Sequence, residues 1–252
     1  VFVHVPKTAG SSLSRVLTDC AFDPGAPPNY DLCWGWCPIR LVWLHHLTLQ
    51  QMVDYKFVSR QEVDSLFIFA IVRNPYSRVL SYFYFLRRNL EYRGSFADML
   101  EAHGPWRALL SDRTTSSYRG DHPRAQIDYV TLDGKVAVDH VGRHEALDDT
   151  LAILHDNGII QNRTLPRSNT QSYRFQHYSH FYSNQEIRNV TDIYGHDLSS
   201  FGYSFFDQRT LISRTQRPYR RWVAGLHPGT RRKFVGYGNE IRRRFGISTS
   251  RT

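Results

Sequence analysis

Lys7-Thr8-Ala9-Gly10-Ser11-Ser12 is a set of residue types suited to holding an anion. It follows the apolar run Val1-Phe2-Val3-His4-Val5 and Pro6, and an amphipathic segment begins at Leu13. A strand that turns directly into a helix presents unpaired backbone N–H groups and the positive end of the helix dipole. Lys7 adds a mobile point charge, and the Thr and Ser hydroxyls add donors. Gly10 is expected to let the backbone approach the ligand closely. A nucleotide-binding loop of the G-x-x-x-x-G-K-[ST] kind has its lysine after the second glycine. Here Lys7 precedes Gly10, so the turn reads as a phosphate cradle of another kind. A second anchor lies in Ile71-Val-Arg-Asn-Pro-Tyr-Ser-Arg-Val-Leu-Ser81. Arg73 offers a planar fork suited to a phosphate, and Ser81, eight residues on, offers a hydroxyl. A ligand with two separated phosphate-like groups could bridge this pair and the first turn.

The elements that must position these residues follow from periodicity. Residues 1–5 are expected as a buried strand and 11–18 as a helix. The continuous apolar run 66–72 has the pattern of a central parallel strand covered on both faces. Residues 76–90 carry Val79, Leu80, Phe83 and Leu86 at helical spacing. Residues 41–53 read as a short strand leading into a helix near Thr48, and 96–103 as a further helix. Residues 111–126 read as a polar surface loop. Residues 127–131 and 136–141 resemble strands joined by a turn at Asp133-Gly134. Helices are expected over 145–157, ending at Gly158, and over 184–198. The polar stretch 161–183 is expected to lie outside the core, and loops of this length are often functional, for example as lids. A basic helix is expected near 228–244. Strands alternating with helices give an α/β fold, a central mainly parallel sheet flanked by helices. In such sheets ligands sit at the C-terminal strand ends. The 6–12 turn, Arg73 and the stretch from Gly142 to Glu145 then share one edge.

The 252 residues suffice for one large domain, expected over 1–206, with a basic extension over 207–252. Because the sequence starts directly in a core strand, a missing N-terminal segment is expected. Net charge is +9, from 32 Lys+Arg against 23 Asp+Glu. Arginine supplies nearly all of it, the lysines being Lys7, Lys56, Lys135 and Lys233. The balance suggests an anionic cofactor or substrate. Nucleic acid fits the charge, but no finger, RNP or zipper pattern supports it. Cys20, Cys33 and Cys37 are too few for a disulfide scaffold, although one bridge is allowed. Their spacing with histidine does not make a zinc site.

The motifs Val5-Pro-Lys-Thr-Ala-Gly-Ser-Ser12 and Arg73-Asn-Pro-Tyr-Ser-Arg-Val-Leu-Ser-Tyr-Phe-Tyr-Phe-Leu-Arg87 together resemble the sulfotransferases that use 3′-phosphoadenosine 5′-phosphosulfate (PAPS). The resemblance is closest to the group holding the heparan sulfate and uronyl 2-O-sulfotransferases, and it covers about residues 1–205. Weaker matches lie at 141–150, at Asn169-Thr170 and at 194–203. It implies a P-loop-like sulfotransferase fold and in-line attack of an acceptor hydroxyl on the donor sulfur, with no metal and with the 3′,5′-bisphosphate PAP as product. Lys7 would contact the bridging and leaving oxygens. Thr8, Ala9, Gly10, Ser11 and Ser12 would hold the 5′-phosphosulfate, and Arg73 and Ser81 the 3′-phosphate. The family places its catalytic histidine between the two motifs, so His46 is the expected general base, with His45 assisting or structural. The 2-O members carry His-x-His where this chain has Leu44-His45-His46. His177 and His180 are expected as competitors for an acceptor-side role. The acceptor implied is a hydroxyl on a saccharide or anionic glycan. The rival readings are a kinase or other NTP-binding enzyme and a non-catalytic module that binds anionic glycans.

Overall fold

The computed structural model describes residues 1–18, 26–89, 94–104, 106–165 and 177–224. In chain order it begins with β1 (Phe2–Val3), α1 (Gly10–Thr18), a hairpin of β2 (Trp36–Cys37) and β3 (Val42–Trp43), α2 (Leu49–Asp54) and α3 (Arg60–Ser65). There follow β4 (Phe69–Val72), α4 (Pro75–Asn89), α5 (Phe96–Leu100), α6 (Trp106–Ser111) and α7 (Gln126–Val130). Next come a second hairpin of β5 (Thr131–Leu132) and β6 (Lys135–Val136), then β7 (His140–Arg143) and α8 (Leu147–Asp156). The described chain closes with α9 (Asn184–Ile193), α10 (Gly195–Phe201), α11 (Leu211–Thr215) and α12 (Arg217–Ala224).

The central sheet is parallel, in the order β1-β4-β7, with Phe2 opposite Phe69 and Ala70 opposite Val141. All four residues of β4 are buried. Its side chains alternate as a strand must. Ala70 and Val72 join a cluster with Val3, Val5, Leu44 and Met52, whereas Phe69 and Ile71 face Leu13, Leu151 and Leu154. Apolar side chains therefore cover both faces, and the α/β reading with a central parallel sheet holds. A third cluster forms around α4, from Tyr76, Phe83 and Leu86 to Trp106 and Tyr194.

Four expectations differ from the structure. Residues 127–130, expected as part of a strand over 127–131, lie in α7, because the buried Asp197 carboxylate accepts the N–H groups of Gln126 and Ile127 and so caps a helix there. The hairpin turn at Asp133-Gly134 is present, both residues having positive φ, but it joins the two-residue strands β5 and β6. The stretch 161–183 contributes core after all: Phe181 and Tyr182 are buried against α4, and the Tyr182 hydroxyl donates to the Tyr76 carbonyl. The expected helix 184–198 is two helices meeting at Tyr194, whose φ of −114° breaks the first. Residues 166–176, Cys20 and the helix expected near 228–244 lie outside the described residues. Cys33 and Cys37 carry free thiols. No described helix is long and apolar enough to cross a membrane.

The segment 118–124, expected as an exposed loop, is held from all sides. Trp43 Nε1–H donates to the Tyr118 carbonyl, the Tyr82 hydroxyl to that of Arg119, and the Tyr129 hydroxyl to that of Asp121. Arg78, 1% exposed, reaches the carbonyls of His122 and Arg124, and the Tyr194 hydroxyl reaches that of Pro123. Six carbonyls of an irregular segment thus find donors on β3, α4, α7 and the α9–α10 junction. An irregular segment is buried only when its backbone polar groups are satisfied in this way. The segment carries Asp121 and His122 into the interior, each less than a tenth exposed.

Candidate functional site

The 6–12 turn follows β1 and opens α1. Lys7 and Ala9 have φ of 72° and 78°, the left-handed region that L-residues with a Cβ enter at a cost of about 1–2 kcal/mol each. Two such residues within three positions mark a loop shaped by its surroundings rather than by its own preferences. The Thr8 hydroxyl, fully buried, donates to the Val5 carbonyl 2.8 Å away. It ties the turn back onto the strand, so its part in the cradle is to set the backbone. The N–H groups of Ser12 and Leu13 both turn back to the Ala9 carbonyl and start the helix. Ser11 is exposed at this end and Ser12 is nearly buried.

Gly10 is also required by a packing contact that its sequence does not suggest. Its φ lies outside the left-handed region. A Cβ there would lie 2.0 Å from Cδ2 and Nε2 of His4. The glycine makes room for an imidazole folded under the turn. His4 is 6% exposed and its ring stacks on Phe2 at 5.5 Å.

Arg73 follows β4. Its backbone N–H and C=O are both engaged by the side-chain amide of the fully buried Gln126. Its guanidinium donates to the Ser77 hydroxyl at 2.9 Å and to the Lys7 carbonyl at 3.3 Å. The two anchors seen in the sequence are therefore in direct contact. Ser77, Ser81 and Phe85 are spaced four apart on α4 and share one face. Ser81 is 2% exposed, and the Lys7 ammonium lies 4.1 Å from the centroid of the Phe85 ring.

Beyond Phe85 is a cluster of imidazoles. Phe85 stacks on His122 at 5.5 Å, and His122 meets His46 edge-on at 4.8 Å. His46 also meets His4 at 5.2 Å and His45 at 4.2 Å. The short 3-10 turn Leu44–His46 presents these last two rings, and it ends where Thr48 caps α2 through a reciprocal pair of bonds with Gln51. His45 faces the β2–β3 hairpin, with its ring 4.0 Å from that of Trp34 and Nδ1 accepting the Gly35 N–H at 3.4 Å. His46 is buried, and its Nδ1 is in hydrogen-bond contact with Oδ2 of Asp121. Burial holds His4 well below the ordinary histidine range, helped by the nearby His46 and Lys7. Burial does the same to His122, with His46, Lys7 and Arg119 adding to it, and to His45.

His46, Asp121 and His122 each place one donor atom within 4.8 Å of the others. His46 and Asp121 are also in direct hydrogen-bond contact with each other. His177 and His180 make their described contacts elsewhere, with Ser179, Tyr178 and Phe206.

Lys7, Thr8, Ala9, Gly10, Ser11, Ser12, Arg73, Ser81, His45 and His46 all appear in the sequence reading. His4, Ser77, Phe85, Asp121 and His122 do not. His4 looked like one more strand residue, and Asp121-His122 lay in a polar stretch with no periodic pattern. Only Ser77, four residues from both Arg73 and Ser81, carried a spacing signal.

The model of the sulfotransferase family matches residues 1–204, and the chain belongs to that family. No curated protein and no solved structure matches it. As a member of the family it is an enzyme of sulfuryl transfer.

Proposed function

We propose that this sulfotransferase takes its sulfuryl group from PAPS and passes it to a hydroxyl of a carbohydrate, with Lys7 and His46 as the catalytic pair. One observation carries the reading: the Lys7 ammonium and the His46 ring border one continuous cluster, joined through Phe85 and His122, while Arg73 grips the Lys7 carbonyl from the second anchor.

In this reading the turn Lys7–Ser12 receives the 5′-phosphosulfate through the N-terminus of α1, a nine-residue helix. Arg73 and Ser81 receive the 3′-phosphate, which separates this donor from ATP. His46 takes the proton of the acceptor hydroxyl as its oxygen attacks sulfur. Lys7 meets the charge that grows on the departing phosphate oxygen. Positioning and charge stabilisation are then most of the catalysis, as in phosphoryl transfer. A saccharide acceptor is supported by the resemblance of both motifs to carbohydrate sulfotransferases. The half-buried Trp34, beside His45, and Trp36, against Trp43, also offer faces for a sugar ring.

Thermal-shift titration with PAP against ATP–Mg²⁺ tests the donor. Stabilisation by PAP alone is expected, and a preference for ATP would sink the reading in favour of an NTP-binding enzyme. Lys7→Ala and His46→Ala are each expected to abolish transfer, with PAP binding intact in His46→Ala. Near-normal turnover in His46→Ala would move the base to another residue.

A further inference from the structure

Four imidazoles crowd this pocket, and the structure distinguishes one of them. His45 Nδ1 is occupied by the Gly35 N–H, and the buried Nδ1 atoms of His4 and His122 have no hydrogen-bond partner. Only His46 meets a carboxylate. From this we propose that Asp121 is the positioning residue that selects His46 as the base: it takes the Nδ1–H, fixes the tautomer with a bare Nε2, and holds the imidazolium once the proton has moved. The inference rests on the sulfotransferase reading above.

The chemistry is that of a carboxylate behind a histidine base. The proton of the acceptor O–H passes to His46 Nε2 while the freed oxygen lone pair bonds to sulfur. The bond from sulfur to the bridging oxygen breaks, and its electrons leave with the phosphate. His46 is then a cation in a buried site. The groups facing it from the surrounding elements would not welcome that charge. His4 on the β1 side, His45 beside it, His122 and Arg119 on the 118–124 segment and Lys7 on the turn are neutral imidazoles or cations. Tyr82 and Tyr129, from α4 and α7, are phenols that burial and the Asp121 charge keep protonated. Asp121 thus supplies the one compensating charge among these groups.

The placement of Asp121 is built rather than incidental. Its own carbonyl is fixed by the Tyr129 hydroxyl at 2.7 Å, and those of Arg119 and His122 by Tyr82 and Arg78. A backbone secured at residues 119, 121 and 122 leaves the carboxylate little freedom to swing from His46. Its second oxygen, Oδ1, is buried with no hydrogen-bond partner. The carboxylate is therefore committed to a single neighbour.

The test compares wild type, Asp121→Asn and His46→Ala by kcat, PAP affinity and the pH dependence of kcat. Asparagine keeps the shape but removes the charge that supports the imidazolium in either amide orientation. The Asp121→Asn variant is expected to lose about 10²–10⁴ in kcat, with PAP affinity within about twofold. Its acid limb should move to lower pH, because a histidine without its counter-charge gives up its proton more readily. A merely structural aspartate would leave that limb in place. One measurement needs no variant: ¹⁵N NMR of the wild-type His46 ring, at a pH above the acid limb where the ring is neutral, should show Nδ1 protonated and Nε2 bare. Observation of the opposite tautomer, or near-normal kcat in Asp121→Asn beside an inactive His46→Ala, overturns this inference alone. An active His46→Ala overturns the reading on which it rests.

Discussion

Replacing Gly10 by alanine tests why the phosphate turn needs a glycine. If the residue serves close ligand approach, an added methyl costs affinity for PAP and little else. The structure points to the other side of the backbone. The new Cβ would meet His4 Cδ2 and Nε2 at 2.0 Å and Cγ at 2.7 Å, where ordinary contact begins near 3.4 Å. The ring must retreat by more than an ångström, and it has little room to do so. It is stacked on Phe2 on one side and meets His46 at 5.2 Å on another. Backbone strain does not enter, since Gly10 is not left-handed. Overpacking of this kind costs about 1–3 kcal/mol. In a chain of this size that lowers Tm by roughly 2–12 °C, at about 2–4 °C per kcal/mol. Turnover should fall as well, because His4 is displaced against His46. His4→Ala removes the obstacle. Differential scanning fluorimetry on the two single variants and the double variant should show a coupling of about 1–3 kcal/mol, the double being more stable than the sum of the singles. Additive effects, or a Gly10→Ala protein of unchanged Tm that has lost only PAP affinity, would refute this account.

Three other outcomes follow from the same geometry. Stability should fall on acidification, because His4 and His122 stay neutral in the fold and take up protons once unfolded; a depressed histidine contributes stability above its unfolded value of about 6.5 and loses it below. The loss should be read by urea unfolding between pH 7 and pH 5, and a slope unchanged in a His122→Phe variant would contradict this. Arg78→Met should destabilise by roughly 3 kcal/mol by leaving the carbonyls of His122 and Arg124 unpaired; it should also lower kcat through Asp121, and a stable variant with full activity would show that the 118–124 segment holds itself. Dialysis against EDTA should leave turnover unchanged, since His46 and Asp121 bond each other directly; activity lost and then restored by Zn²⁺ would make the trio a metal site.

The local signals in this sequence were strong where one element carried them. Strand, turn and helix over 1–18 were legible, because apolar run, proline, lysine, glycine and amphipathic period follow one another directly. The same holds for β4 with α4, whose continuous apolar run and helical spacing leave few alternatives, and for the Arg73–Ser81 pair on their junction. Residue type alone did not show the steric demand on Gly10. Its neighbour across the turn is His4, and nothing in a linear pattern says that a strand histidine folds back under the following loop.

Asp121 and His122 required the tertiary structure. They sit in a polar segment without period, which sequence places at the surface because buried irregular backbone is costly. Trp43, Arg78, Tyr82 and Tyr194 cancel that cost by supplying donors from three distant parts of the chain, and Tyr129 adds one from the helix that follows. Likewise the residues 126–130 could pass for a strand until Asp197, some seventy positions away, supplied a helix cap. The sequence by itself determined the strand, turn and helix over 1–18, the junction that carries Arg73 and Ser81, and the family these motifs imply, because each depends on contacts within about ten residues. Which histidine has a carboxylate behind it was decided only by the fold, because hydrogen bonds between residues 75 apart leave no trace in spacing.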